Sequence, residues 1–260
     1  MSAAPPASIW LAGCGNMAGA MLSRWIAAGT IDPETVFVVN RGDRALPEGV
    51  RQGRAFPEAA LPDVILLGVK PQQLDAIPAI PAGPVLVSIL AGVETATLQA
   101  RFPGNPIVRA MPNLPVALGK GVVALHGARD GAVEALMAPL GLVEWIADEA
   151  LFDVVTALAG SGPGFVYRFI DGLADAGAAL GLPADQAQRL AIATVEGSAM
   201  LAAQADLSPA VLADRVASPG GSTREGLNML DREPGLKALL RETLAASTRR
   251  NAEMAAAARK

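Results

Sequence analysis

The residues with the clearest chemical meaning are Gly13, Gly15 and Ala18, set in the run Ile9-Trp10-Leu11-Ala12-Gly13-Cys14-Gly15-Asn16-Met17-Ala18. In such a G-x-G-x-x-A run the first glycine permits a tight turn and the second lets the backbone approach a pyrophosphate. The small sixth residue lets the next helix pack close to the preceding strand. A helix over residues 16–28 would aim its free N–H groups and positive dipole end at the phosphates. Many glycine turns bind nothing; the readable strand before this one and helix after it give it meaning. Cys14 holds the variable position of the turn and reads as a small filler rather than a nucleophile.

The next candidate strand ends in Val38-Val39-Asn40-Arg41-Gly42-Asp43-Arg44. An Asp or Glu at its end would grip a ribose 2′-hydroxyl. Here an amide is followed by guanidinium groups, which suit a 2′-phosphate. Asn40 and Arg41 are the candidates, with Arg44 near enough to assist. The expected cofactor is therefore NADPH, with NADH possible; a solvated surface turn is the plainer alternative.

Further candidates stand where strands end. Gly68-Val69-Lys70-Pro71-Gln72 closes a third apolar strand and is expected to open a helix with Pro71 at its first position. Its backbone could lie along a cofactor, although Lys70 is equally an ordinary surface lysine. Ser88-Ile89-Leu90-Ala91-Gly92 ends a fourth strand, and Arg109-Ala110-Met111-Pro112-Asn113 follows a fifth. In open α/β sheets the ligand crevice lies outside these carboxyl ends. Later come Leu158-Ala159-Gly160-Ser161-Gly162-Pro163-Gly164-Phe165 and Ser218-Pro219-Gly220-Gly221-Ser222-Thr223. Both read as Gly/Ser turns at helix N-termini, where N–H groups and hydroxyls can bind a carboxylate; each alone would equally be a helix cap. The single histidine, His126, reads as a surface or packing residue and Tyr167 as a packing residue rather than a proton donor, and no ligand spacing implies a metal.

The elements that must position these residues fall into two rhythms. Up to about residue 147, short apolar strands (8–12, 35–39, 64–68, 85–89, 106–110, 122–124 and 143–147) alternate with loops and helices. Continuously apolar strands such as Val64-Ile65-Leu66-Leu67 imply a parallel sheet covered on both faces. Beyond 150 the pattern is helical, over 151–158, 165–180, 184–204, 209–216 and 234–258, with Gly181-Leu182-Pro183 as a stop and restart. The fold class is α/β, a Rossmann-like doubly wound sheet (residues 1–148) followed by an all-helical domain (residues 149–260). The Ala- and Gly-rich helices offer few large core anchors, which points to dimerisation through the second half.

A net charge of −4 and the lack of any Lys/Arg run argue against nucleic-acid binding, and 52% apolar residues argue for a compact fold. One cysteine excludes an intramolecular disulfide and fits a reducing cytoplasm. No secretory signal is visible and no stretch of about 20 uncharged apolar residues occurs, so a soluble protein with no membrane partner is expected.

Taken together, G-x-G-N-M-A, V-K-P-Q, M-P-N, G-S-G-P and S-P-G-G, in this order from about Ile9 to Leu230, resemble the pyrroline-5-carboxylate reductase family. The resemblance implies NADPH-dependent reduction of 1-pyrroline-5-carboxylate to proline, and a helical domain that interlocks as a homodimer, with assembly into larger rings. It further implies cofactor contacts along Ala12–Met17 and Gly68–Pro71 (Val69 and Lys70 included), with Ala91 beside the nicotinamide end. The substrate carboxylate site falls on Gly220, Gly221, Ser222 and Thr223, with Thr223 as the hydroxyl acting on the ring substrate. Glu149 matches an acidic position near the substrate. Departures from the family pattern include Leu114 for a usual Thr, Ala159 for Ser and Arg224 for an apolar residue. Two alternatives stay open: a reductase of another cyclic imine acid, and a non-catalytic dinucleotide-binding protein. The scarcity of acid–base residues suits imine reduction, in which the protein mainly positions the reactants.

Overall fold

The structure, a computed structural model, describes residues 3–58 and 60–258. They divide into two compact units: the first comprises residues up to 161 together with those from 247 onward, and the second residues 162–246.

The first unit is built on eight strands: β1 (Ile9–Ala12), β2 (Val36–Val39), β3 (Arg51–Gly53), β4 (Val64–Leu67), β5 (Val85–Ser88), β6 (Ile107–Pro112), β7 (Gly121–Gly127) and β8 (Gly141–Trp145). They form one sheet in the order β3-β2-β1-β4-β5-β6-β7-β8. All pairs are parallel except the antiparallel β6–β7 pair. The apolar runs of β1 and β4 have a direct reason. Ile9, Leu11, Val64 and Leu66 face one core with Met21, Leu22 and Trp25, while Trp10, Ala12, Ile65 and Leu67 face another with Leu98 and Phe102. Each strand is thus covered on both faces and has no polar side.

The helices of this unit are α1 (Asn16–Ala27), α2 (Thr95–Arg101), α3 (Gly131–Met137) and the short α4 (Phe152–Val155). The second unit holds α5 (Gly162–Ala179), α6 (Ala184–Gln204), α7 (Pro209–Arg215) and α8 (Ser222–Asp231); α9 (Leu236–Ala258) begins there and ends in the first unit. Gly181, at φ +108°, ends the turn after α5, and the Leu182 amide donates to Gly177 O at 3.2 Å. An added Cβ on Gly177 would lie 3.5 Å from Ala187 Cβ, so small residues set how closely α5 and α6 approach.

Several expectations change. β3 was not foreseen. The strand expected over 106–110 runs on through Met111 and Pro112, because both pair with β7. Pro71 opens a 3-10 turn, Pro71–Ala76, instead of an α-helix. The Gly160-Ser161-Gly162-Pro163 segment is not an open turn before a helix. Helical backbone continues almost unbroken from Glu149, widening to a π-turn over Thr156–Gly160 before α5, and the Ser161 amide donates to Thr156 O at 2.8 Å. Pro163 has no N–H for the carbonyl of Ala159, four residues earlier. Asn113 Nδ2 donates to that carbonyl instead, at 2.9 Å, and so joins the M-P-N and G-S-G-P motifs. By compactness the chain divides after residue 161 and again before residue 247; the division into cofactor and substrate domains at 148/149 is a separate, functional expectation. The run Glu149–Ala179 is long and apolar enough by length and composition to cross a membrane, and in the single chain it is largely exposed.

Candidate active site

The glycine turn after β1 and the turn after β4 lie back to back. Gly13, at φ +87°, donates its amide to Val39 O at 2.9 Å, and the Gly68 amide donates to Ala12 O at 2.9 Å. A Cβ on Gly13 would lie 2.7 Å from Val69 Cγ1, and one on Gly68 would lie 2.8 Å from Gly13 O. Neither position has room for a side chain. Gly15 differs: a Cβ there would meet nothing within 4 Å. It is the N-cap of α1, no side chain caps that helix, and its first turn carries no acidic residue. The N–H groups at the start of α1 thus stand beside open space, as a diphosphate requires.

That space belongs to a cleft of about 870 Å³ at the carboxyl edge of the sheet, lined by Ala12, Gly13, Cys14, Gly15, Asn40, Arg41, Gly68, Val69 and Lys70 among others. Asn16 lines a smaller adjoining cleft with Cys14, Gly15 and Arg44. Three cofactor candidates line neither: Met17 is half-buried against the core, Pro71 begins the 3-10 turn, and Ala91 is exposed in the turn after β5. Burial pushes the Cys14 thiol up from its ordinary value, with Arg44 opposing the effect, so the thiol is a poor nucleophile.

Asn40 is buried, and its side chain is already occupied. Its Oδ1 accepts from the Cys14 amide at 3.1 Å and its Nδ2 donates to Gln52 Oε1 at 3.5 Å, while its backbone N–H donates to Gly53 O at 3.0 Å. It therefore positions the glycine turn, and the charged rim is left to arginines. Arg41 lies against Gln73, donating at 2.7 and 3.2 Å when the amide oxygen is turned toward it. Arg54, which sequence reasoning missed, donates to Asn40 O at 3.2 Å and pairs with Asp43 at 3.0 Å. Four cationic residues (Arg41, Arg44, Arg54 and Lys70) and one carboxylate, Asp43, line the cleft.

Glu149 gathers a separate cluster in the same unit. It accepts from the Thr95 amide at 2.9 Å and from the Thr95 hydroxyl, and pairs with Arg109 at 3.0 Å; His126 Nε2 lies 3.8 Å away. Arg109 is buried and lies over the Phe152 ring at 4.4 Å. Burial opposes ionisation of Glu149, but the hydrogen bonds from Thr95 and Arg109 together outweigh it and hold the carboxyl below its ordinary value. His126 packs edge-on against Phe152 and its Nδ1 meets Ile146 O at 2.8 Å.

The second unit carries the Ser218–Thr223 loop. Gly220 has φ +71°, and Gly221 caps α8 with its amide donating to Ser218 O at 3.0 Å. A Cβ on Gly221 would meet Ser218 Oγ at 2.6 Å. Ser222 and Thr223 are exposed in the first turn of α8, and Arg224 pairs with Asp214 of α7 at 2.7 Å, pinning the loop. Tyr167 is exposed on α5, not packed. Among the described residues no group of three or more His, Cys, Asp or Glu gathers as metal ligands.

A doubly wound sheet with a glycine-walled, cation-rimmed cleft at its carboxyl edge defines the dinucleotide-binding class of α/β proteins. Residues 149–254 match the family described as pyrroline-5-carboxylate reductase dimerisation, and residues 8–92 the family described as NADP oxidoreductase, coenzyme F420-dependent. The chain is 38% identical to the pyrroline-5-carboxylate reductase of Synechocystis sp., over 93% of this chain and 96% of that protein. A pyrroline-5-carboxylate reductase structure from Coxiella burnetii is similar with a TM-score of 0.86 and 30% identity, covering 95% of this chain and 98% of that one. The Plasmodium falciparum pyrroline carboxylate reductase with NADP bound has a TM-score of 0.82 and 26% identity, covering 96% and 98%. The chain belongs to the pyrroline-5-carboxylate reductase family.

Proposed function

We propose that the chain is an NADPH-dependent reductase of 1-pyrroline-5-carboxylate, forming proline, and that it works as a cytoplasmic homodimer able to assemble into larger rings. The observation that carries the cofactor reading is the pairing of an uncapped α1 N-terminus beside Gly15 with a rim of arginines at the end of β2. One side suits a diphosphate, the other a 2′-phosphate. When bound, a reduced nicotinamide dinucleotide supplies hydride. The protein's share is to hold the reactants: Gly13, Gly15 and Gly68 keep the backbone low beneath the cofactor, and the Gly68–Pro71 segment forms a neighbouring wall. Residues 149–260 are read as the substrate and dimerisation domain.

In that domain Gly220, Gly221, Ser222 and Thr223 form a carboxylate site from backbone N–H groups and two exposed hydroxyls at the start of α8. Glu149 acts near the substrate only through the groups it already binds, Thr95 and Arg109. Dimer formation is supported by exposed Val166, Phe169 and Leu173 along one side of α5, with Leu201 and Met200 on α6. This surface accounts for the apolar exposure of the Glu149–Ala179 run without a membrane.

A second reading, a reductase of a different cyclic imine acid, is favoured by Leu114, an exposed apolar residue beside the Asn113 that binds Ala159. The test is the loss of reduced-nicotinamide absorbance with pyrroline-5-carboxylate, run with NADPH and with NADH, and then with other cyclic imine acids. Turnover favouring NADPH and the five-membered ring supports the first reading. Turnover only on another imine supports the second, and NADPH binding without any turnover overturns both. Thr223→Ala is expected to lower kcat/KM by roughly 10-fold, the loss of one hydrogen bond to a charged group; an unchanged value would remove Thr223 from the site.

A further inference from the structure

We propose that Arg54 selects the 2′-phosphate and that Asp43 is an internal stand-in for that phosphate, which the ligand must displace. The inference rests on reading the cleft as an NADP site. Asn40, at the carboxyl end of β2, stands where an acidic residue would bind a ribose 2′-hydroxyl. The ladder pairs Val39 with Gly53, and Asn40 N then donates to Gly53 O at 3.0 Å. Arg54, the residue that follows β3, is thereby set beside that position. One guanidinium nitrogen is fixed by Asn40 O at 3.2 Å, the carbonyl of the residue whose side chain also holds the glycine turn. The other nitrogen faces Asp43 Oδ1 at 3.0 Å.

These two anchors differ in kind. The carbonyl contact belongs to rigid backbone at a strand end. The carboxylate contact is made by an exposed side chain in the loop after β2, 84% accessible, which can swing away at little cost. Among the described residues Asp43 is also the one carboxylate lining the cleft, against four cations. Its Oδ1 meets the edge of the guanidinium through one N–H, the contact that a phosphate oxygen would make with Arg54. A phosphate offers the same planar, charge-assisted pairing with more charge. A neutral 2′-hydroxyl offers no such replacement, so exchange favours the phosphorylated dinucleotide. Asp43 then tunes selectivity as well, since any ligand must compete with it.

Binding of NADPH, NADH and adenosine 2′,5′-bisphosphate to the full chain, followed by calorimetry, tests the proposal without turnover. For Arg54→Gln the NADPH-to-NADH affinity ratio is expected to fall about 10-fold or more, with a parallel loss for the bisphosphate. For Asp43→Asn the ratio is expected to rise several-fold at low salt, the gain shrinking as salt screens the exposed charges. The ratio is measured within each variant, so a general loss of folding cancels. An unchanged ratio in Arg54→Gln overturns the role of Arg54, and an unchanged or lower ratio in Asp43→Asn overturns the stand-in. Failure of the chain to reduce any imine would leave these results untouched, whereas failure of the wild-type chain to prefer the 2′-phosphate would overturn them.

Discussion

An added methyl group on Gly68 would lie 2.8 Å from Gly13 O and 3.0 Å from Ala18 Cβ. Gly68→Ala must therefore force the β1 and β4 turns apart or tilt α1. The expected cost is about 1–3 kcal/mol in denaturant unfolding, typical of overpacking at a rigid contact, together with weaker dinucleotide binding in a titration. Wild-type values for both would contradict the back-to-back geometry. The spacing of Gly13, Gly15 and Ala18 is legible in sequence because the turn itself sets it, whereas the need for glycine at 68 arises only where the β1 and β4 turns meet. The position of Asn40 at a strand end was legible, but its hold on the glycine turn was not, since its partner Cys14 is 26 residues away. The place of Arg54 beside Asn40 was not legible, because it depends on the register of β3 with β2.

Elements differ in the same way. The strands with two covered faces announce themselves as apolar runs, whereas Arg51-Gln52-Gly53 forms β3 only because it pairs along β2 at the sheet edge. Glycines and a proline made residues 160–163 read as a turn; Asn113 satisfies the carbonyl that Pro163 leaves open, and the helix continues. Glu149 was legible as an acidic position but not as the link from α2 to β6. Glu149→Gln is expected to cost about 1–3 kcal/mol, because Arg109 would stay buried without its charged partner. The pH dependence follows from the lowered carboxyl. Its stabilisation is complete above the ordinary carboxylate value, near about 4.3, and is lost as pH falls through the lower folded value. Thermal melts from neutral pH downward are expected to show a shallower acid decline in the Gln variant; parallel declines would remove Glu149 from the acid response.

For the molecule as a whole, two units with unlike surfaces imply unlike tasks. The sheet unit buries most of its large apolar side chains, while α5 and α6 keep many of theirs exposed. Phe169→Glu with Leu173→Glu places two charges on one stripe of α5, and sedimentation is expected to show a monomer where the wild type sediments as a dimer or larger. A double variant that sediments like the wild type would move the interface elsewhere. Composition made the need for a partner legible, but it could not show which residues from near the end of the sequence return to the first unit. Asn251 donates to Asp153 O at 3.1 Å, and Ala255 lies against Gly92, where a Cβ would meet its Cα at 3.3 Å. During synthesis the sheet emerges first, yet these last pieces of its unit reach it only after the helical unit has left the ribosome. A chain that folds in the order of its making thus keeps the backbone after β5 unbraced until the whole helical unit and the second half of α9 have been added.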